Sequence, residues 1–317
     1  MKAELVKVEN LVMNQSTGIF GKNLIERFVS FAGVADSSRQ TYTKCIKQLF
    51  KFFSANEIIS PTRADLINWV EEMKAEGKSA STIQLYLAST KIFFRWLSQE
   101  GFYANIADHL KSGVKPSHNH KKDALTTEQC KELIQHVKGD NLKDLRDRAI
   151  LALMTTAGLR TIEVVRANVG DIRFERGKVF LYVTRKGHVE ADDKVLLAKQ
   201  AYSAIKTYLK ARGSAQVKEP LFTSTSRRNK NSRLQTQAIS RMVKFKLRGM
   251  GLDSPRLTAH SLRHSTASNL IFAGVELPKV QMILRHKNIN TTMIYVAAWE
   301  RYQNDGEQFL ANKIFKE

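Results

Sequence analysis

Residues 178 to 197, "KVFLYVTRKGHVEADDKVLL", break an otherwise helical pattern. "KVFLYVT" is rich in β-branched and aromatic residues, and "VEADDKVLL" reads as a second extended run. The turn-forming "RKGH" lies between them, so residues 178–197 are expected to form a β-hairpin closed by a tight turn. On both sides the apolar period returns to that of helices. "TTEQCKELIQHVK" and "LKDLRDRAILALMTTAG" precede the hairpin, and Gly158 is placed to cap the second of them. "AKQAYSAIKTYLKARG", "LQTQAISRMVKFKLRGMG", "AHSLRHSTASNLIFAG" and "ELPKVQMILRH" follow it. Residues 124–317 should therefore be an α-rich domain with one small antiparallel sheet, ending in a tail over 296–317.

Upstream, residues 111–123 are polar, contain Gly113 and Pro116, and carry Lys111, Lys115, Lys121 and Lys122. That composition predicts an interdomain linker whose lysines could track a phosphate backbone. His118 and His120 have no cysteine or carboxylate cluster beside them, so a solvated linker is the better reading than a metal site. Residues 22–110 read as a small bundle of helices. Tyr42, Cys45, Ile46, Leu49, Phe50 and Phe53 form one stripe, and Thr62 with Asp65 has the spacing of a capping box after Pro61. Gly33, Gly77 and Gly101 stand at the expected helix ends. Residues 1–21 lack a strong period and read as a lead-in. The fold class is thus mainly α, with a helical-bundle first domain and an α-rich second domain.

The 317 residues suit two domains, each able to bury a core. Lys and Arg number 51 against 30 Asp and Glu, a formal charge of +21. Such an excess implies a polyanionic partner, with nucleic acid ahead of an anionic membrane surface. No stretch approaches the ~18 apolar residues of a spanning helix, and "MKAELVKVENLVMNQ" lacks the apolar core of a signal peptide. A cytoplasmic protein without membrane attachment is expected. Cys45 and Cys130 are far apart and read as buried or half-buried free thiols.

Several residues carry chemistry. In "TTAGLRTIEVV", Arg160 lies three residues before Glu163, a spacing at which the carboxylate can fix the guanidinium. In "AHSLRHSTASNL", His260 and Arg263 share a helix face. Lys186 stands in the hairpin turn, and "LRHKNINTTMIY" runs from Leu284 through His286 to Tyr295. Each feature alone has a plainer reading: a surface ion pair, a helix-start histidine, a solvated lysine, a core tyrosine. Together they are the inventory for cutting a phosphodiester without metal. Arginines would hold the non-bridging oxygens, and a tyrosine could act as nucleophile if relieved of its proton. Asp192 and Asp193, adjacent on a strand, would point to opposite faces and suit a two-metal site poorly.

"GLRTIE", the hairpin lysine followed by glycine, "HSLRHS" and "LRHKNINTTMIY" resemble, in order and spacing, the signature of the tyrosine recombinase, or phage integrase, family. "SRQTYTKCIKQLFKF" and "STIQLYLASTKIFFRWL" are similar to that family's core-binding domain. The resemblance implies site-specific cutting and rejoining of double-stranded DNA through a covalent 3′-phosphotyrosine and a Holliday junction. Arg160 and Arg263 would be the phosphate clamp, His260 the proton acceptor, Lys186 the general acid, His286 a further donor to the phosphate and Tyr295 the nucleophile. Glu163 would support them from behind.

Arg39 and Lys44 in the first domain, and Arg241 and Lys244 in the second, are candidate DNA contacts beside the linker lysines. No cofactor and no metal is implied. The chain resembles compact Xer-like or Cre-like members, which work as tetramers; a homotetramer and a hetero-tetramer with a paralogue are both compatible, as are integration or excision of a mobile element and dimer resolution. Phe309, Leu310, Ile314 and Phe315 give the tail an apolar stripe that would either fold back on its own domain or, as in the family and as the better reading, dock on a neighbouring protomer. One departure is that the family usually has glycine before its last histidine, where this chain has Arg285. Alternative readings are a monomeric type IB topoisomerase-like enzyme and a sequence-specific DNA-binding regulator.

Overall fold

Residues 19–33, 36–114, 123–184, 191–213 and 215–315 are described by the computed structural model. The chain divides into two units, one up to His118 and one from Asn119.

The first unit contains helices α1 (Ile19–Phe31), α2 (Asp36–Ala55), α3 (Arg63–Ala75) and α4 (Ala80–Gln99). The α2 stripe is buried at Cys45, Ile46, Leu49 and Phe53, while Tyr42 and Phe50 pack partly covered against the same core. Phe28, Leu66, Met73, Phe93 and Trp96 complete it. Fully burying such side chains contributes roughly 1.5–3 kcal/mol each, which holds helices of this length together. The capping box at α3 forms: the Thr62 side chain accepts from the Asp65 amide, and the Thr62 amide donates to the Asp65 carboxylate at 2.7 Å. Gly77 and Gly101 follow α3 and α4 with φ of +72° and +69°. One boundary differs from expectation. Helix α1 begins at Ile19 and contains Gly21, within the expected lead-in. A single glycine costs about 1 kcal/mol in a helix interior and does not end one.

The second unit opens with α5 (Thr127–Gln135), α6 (Leu142–Ala157) and α7 (Thr161–Arg166), followed by β1 (Ile172–Glu175), β2 (Lys178–Val183) and β3 (Asp193–Leu196). It continues with α8 (Lys199–Arg212), α9 (Thr236–Gly249), α10 (Ala259–Phe272), α11 (Leu277–Leu284), α12 (Asn290–Gln303) and α13 (Gly306–Ile314). Helix α6 is buried nearly all round because α5, α8 and α10 pack on it. A polar group on such a helix needs a partner, and Arg146 finds Asp147 at 2.6 Å and the Thr223 carbonyl at 3.0 Å.

The sheet is antiparallel in the order β1-β2-β3. One point goes beyond the sequence expectation. A third strand, β1, pairs with β2 and is joined to it by a tight turn at Arg176–Gly177 between Glu175 and Lys178, with φ of 47° and 76°. Two central residues at positive φ match the right-handed twist of the strands they join. On the other side of β2, Val183 pairs with Asp193, so the expected β2–β3 hairpin forms, with residues 184–192 as its connection. Residues 185–190 of that connection, Lys186 among them, lie outside the described residues.

A separate apolar cluster joins α10, α11 and α12 through Ala267, Ile271, Val280, Leu284 and Tyr295. Helix α13 buries none of its side chains. Among the described residues no helix is long and apolar enough to cross a membrane. Cys45 and Cys130 are buried free thiols, and burial pushes Cys130 up to about 11.

Candidate active site

Helix α6 ends at Gly158 with φ 59° and ψ 33°, a left-handed stop that turns the chain sharply into Leu159 and Arg160. Arg160 then occupies the N-cap position of α7 in an extended conformation. Its amide donates to one Glu163 carboxylate oxygen at 2.8 Å, and its guanidinium donates to the other at 2.7 Å. The arginine is thereby fixed at both ends. Its side chain keeps 30% exposure while Glu163 is fully buried.

Arg263 comes from α10 and is also buried. It donates to the Gly158 carbonyl at 2.5 Å and to the Leu284 carbonyl, tying the turn after α6 to the end of α11. Burial, and then the charges of Arg160 and Arg285, push Arg263 down to about 9, so it remains cationic at neutral pH. A cleft of about 280 Å³ is lined by Arg160, Thr161, Ser240, Thr258 and His260. His260 is exposed there, one helical turn from His264, whose ring it meets edge-on at 4.6 Å between centroids.

Tyr295 projects from α12 into the cluster it shares with α10 and α11 and is 4% exposed. Its hydroxyl lies 2.5 Å from His264 Nδ1. Burial pushes the phenol up to about 12, partly opposed by Arg263. His286, just beyond α11, has Nδ1 2.9 Å from the buried Thr292 hydroxyl on α12, which orients the ring. Burial and the charges of Arg263, Arg160 and Arg285 push it down to about 4, so it is a neutral imidazole at pH 7.

Arg285 is the residue that stands where glycine was expected. It adopts the left-handed C-cap of α11, φ 55° and ψ 45°, the conformation glycine takes without strain. Its guanidinium turns inward, 4% exposed, and donates to Glu163 at 2.9 Å and to the Ile283 carbonyl at 2.6 Å. Glu163 therefore lies between two arginines. Burial alone would raise its pKa; Arg285 first, then the amide and guanidinium of Arg160, bring it below the usual carboxylate range.

The structure thus brings Arg160, Glu163, Arg263, His286 and Tyr295 into one connected site, with His260 on its open side. Lys186, Lys115, Lys121 and Lys122 lie outside the described residues. Arg39 and Lys44 are exposed on α2 of the first unit, and Arg241 is exposed on α9. Lys244 is half-buried and engaged with Asp253 at 2.9 Å and the Ser254 carbonyl at 2.7 Å. Sequence reasoning missed His264. The available signal was its four-residue spacing from His260, which puts both rings on one helix face.

A cluster of arginines with one buried carboxylate, a neutral imidazole and a buried phenol is equipped to bind a phosphate and present an oxygen nucleophile to it. Residues 123–301 match the phage integrase family, and residues 25–101 match the phage integrase N-terminal SAM-like domain.

The chain belongs to the phage integrase family.

Its tyrosine recombinase relatives span nearly its whole length. Tyrosine recombinase XerA of Pyrococcus horikoshii is 30% identical over 283 residues, covering 89% of this chain and 92% of that protein. Tyrosine recombinase XerC of Thermodesulfovibrio yellowstonii is 25% identical, covering 88% and 92%. The fold is also that of the XerH site-specific recombinase in its post-cleavage complex with a palindromic difH substrate, at a TM-score of 0.70 and 18% identity over 100% of this chain and 90% of that one. This integrase-family chain is a tyrosine recombinase by that kinship.

Proposed function

We propose that the protein recombines DNA at specific sites by cutting and rejoining strands through a covalent 3′-phosphotyrosine on Tyr295. The observation that carries this reading is the Tyr295 hydroxyl held 2.5 Å from His264 Nδ1 in a site where Arg160 and Arg263 supply positive charge. Arg160 and Arg263 bind the non-bridging oxygens and stabilise the charge that accumulates in the transition state. Tyr295 Oη forms a bond to phosphorus as the bond from phosphorus to the 5′ oxygen breaks. The phenolic proton passes to a histidine, with His264 in contact and His260 next to it, and the departing 5′ oxygen takes a proton from Lys186. His286, neutral with Nδ1 engaged by Thr292, donates from Nε2 to a phosphate oxygen. Attack by a 5′-hydroxyl of a partner strand reverses these bond changes, so rejoining needs no external energy source. Charge stabilisation and positioning come from side chains, and no cofactor enters the scheme.

The partner is a double-stranded DNA recombination site. The +21 formal charge supports this, as do the DNA-bound forms of XerH and of lambda integrase on its COC′ core site. In this reading residues 22–110 are the core-binding domain, with Arg39 and Lys44 toward DNA. Residues 111–123 are a linker whose Lys115, Lys121 and Lys122 follow the backbone, and residues 124–317 form the catalytic domain, with Arg241 as a further contact. Two DNA sites are joined in a tetramer of identical or paralogous chains, exchanging strands through a Holliday junction in the cytoplasm.

The test is a nicked suicide substrate bearing the cognate site, incubated in EDTA and resolved on a denaturing gel. Wild-type protein should give a covalent protein–DNA band that Tyr295→Phe lacks. Absence of that band with wild-type protein would favour a DNA-binding regulator, and relaxation of supercoils without recombinant junctions would favour the topoisomerase-like reading.

A further inference from the structure

Arg285 is nine-tenths buried, adopts a conformation that non-glycine residues accept only at a cost, and reaches a carboxylate 122 residues away in the sequence. Packing alone would not retain a guanidinium at such a position. Its Nε is buried with no hydrogen-bond partner among the described residues, so burial is not fully compensated by local bonds. The compensation comes from Glu163, whose Oε2 accepts from Arg285 at 2.9 Å and whose Oε1 accepts from Arg160 at 2.7 Å.

We propose that Arg285 is a positioning residue for Arg160: it takes up the charge of the buried Glu163, leaving the half-exposed Arg160 guanidinium oriented by the carboxylate yet electrostatically available to a phosphate. This rests on the reading of the site as a phosphate clamp. With glycine at 285, Glu163 would face Arg160 alone. The pair would then be neutral, and an incoming phosphate would meet a carboxylate held 2.7 Å behind the guanidinium it seeks. With Arg285 in place the three groups carry a net positive charge, and orientation no longer comes at the expense of attraction. The next residue is His286 and the preceding carbonyl, Leu284, holds Arg263, so one residue ties the support of both arginines to the end of α11. Arg285 first among the lowering influences, ahead of Arg160, also holds the Glu163 carboxyl ionised against its burial.

The probe is inorganic phosphate titrated into the full-length protein while the ring protons of His286 and His260 are followed by NMR. The variants are Arg285→Gly, Arg285→Asn, Glu163→Gln and the Glu163→Gln/Arg285→Gly double substitution. Glycine and asparagine both tolerate positive φ, so the turn is preserved by two different side chains. Arg285→Gly should weaken phosphate binding about tenfold, and Arg285→Asn should match it. In the Glu163→Gln background the same change should cost less than about twofold, because no carboxylate remains to be offset. Equal weakening in both backgrounds would mean that Arg285 acts on phosphate directly, and no weakening in either would leave it a structural residue; each overturns the proposal. If wild-type protein neither binds phosphate at these histidines nor forms the covalent DNA adduct, the clamp reading fails and takes the inference with it. Normal wild-type binding with an unaffected Arg285→Gly defeats the inference alone.

Discussion

A phenol sunk to 4% exposure beside an imidazole is held in its protonated state by the fold, and that has a cost measurable without any substrate. Burial pushes Tyr295 up to about 12, against about 10 for a free tyrosine. The folded chain therefore keeps this proton at pH values where the unfolded chain releases it. The stabilising contribution is complete below pH 10 and is lost as pH rises from about 10 toward 12. Other raised tyrosines, Tyr86 and Tyr103, act in the same sense, so the informative quantity is a difference. Urea unfolding at pH 8.5 and at pH 11 should show wild-type protein losing more stability than Tyr295→Phe over that interval; equal losses would mean that the hydroxyl is not buried as described. At this scale much of the site was legible. Arg160 and Glu163 announce themselves because their three-residue spacing brings the two side chains together, at 2.7 Å. The 2.5 Å approach of His264 to Tyr295 crosses 31 residues, and the Arg285–Glu163 pair crosses 122. No local period encodes contacts made by the packing of α10, α11 and α12 against the turn after α6.

Elements were legible where their ends carry specific chemistry. The capping box at Thr62 and Asp65 and the left-handed stop at Gly158 both form as their residue types require. β1 was not legible, because "IRFE" is only four residues long and its turn, Arg176–Gly177, lacks the Asn-Gly or Asp-Gly pair that usually marks two residues at positive φ. The hairpin of β2 and β3 was legible, whereas the "RKGH" turn expected within it lies outside the described residues. Gly158 is the element boundary on which the site depends most. It sits at φ +59°, a Cβ there would meet Leu284 Cδ2 at 2.8 Å and Thr266 Cγ2 at 3.4 Å, and its carbonyl accepts from Arg263 at 2.5 Å. Gly158→Ala combines a left-handed alanine with overpacking against α10 and α11, together about 2–4 kcal/mol of lost stability. Thermal or urea unfolding should register that loss, and the covalent-adduct yield should fall further than that of a remote variant of equal stability, since Arg263 loses its anchor. A Gly158→Ala protein with wild-type stability would show that the turn relaxes freely.

Across the whole chain, the proposed function gives charge and apolar surface separate tasks. The +21 excess supplies a salt-sensitive attraction to DNA that does not depend on the tail, because each neutralised phosphate releases counterions. The tail carries the opposite property. Phe309, Leu310, Ile314 and Phe315 on and just after α13 are 63%, 57%, 64% and 77% exposed, and the helix is joined to α12 by the Arg301–Glu307 ion pair at 2.6 Å, itself solvent-exposed. Removing residues with no buried side chain should shift stability by no more than about 0.5 kcal/mol. Covering four such side chains on another protomer gains roughly 1.5–3 kcal/mol each at most, while association costs on the order of 4–15 kcal/mol. That gain and that cost are of the same order, so under the proposed function the tail would act chiefly between protomers that DNA already holds close, where the effective concentration is high. Deleting residues 306–317 should leave the melting temperature and the binding of a single protomer to its half-site unchanged. It should abolish the cooperative arrival of the second protomer, read as loss of the slower band at intermediate protein concentration in native gels. If the truncated chain still fills both half-sites cooperatively, the exposed stripe has no part in assembly and the contact between protomers must be sought on another face.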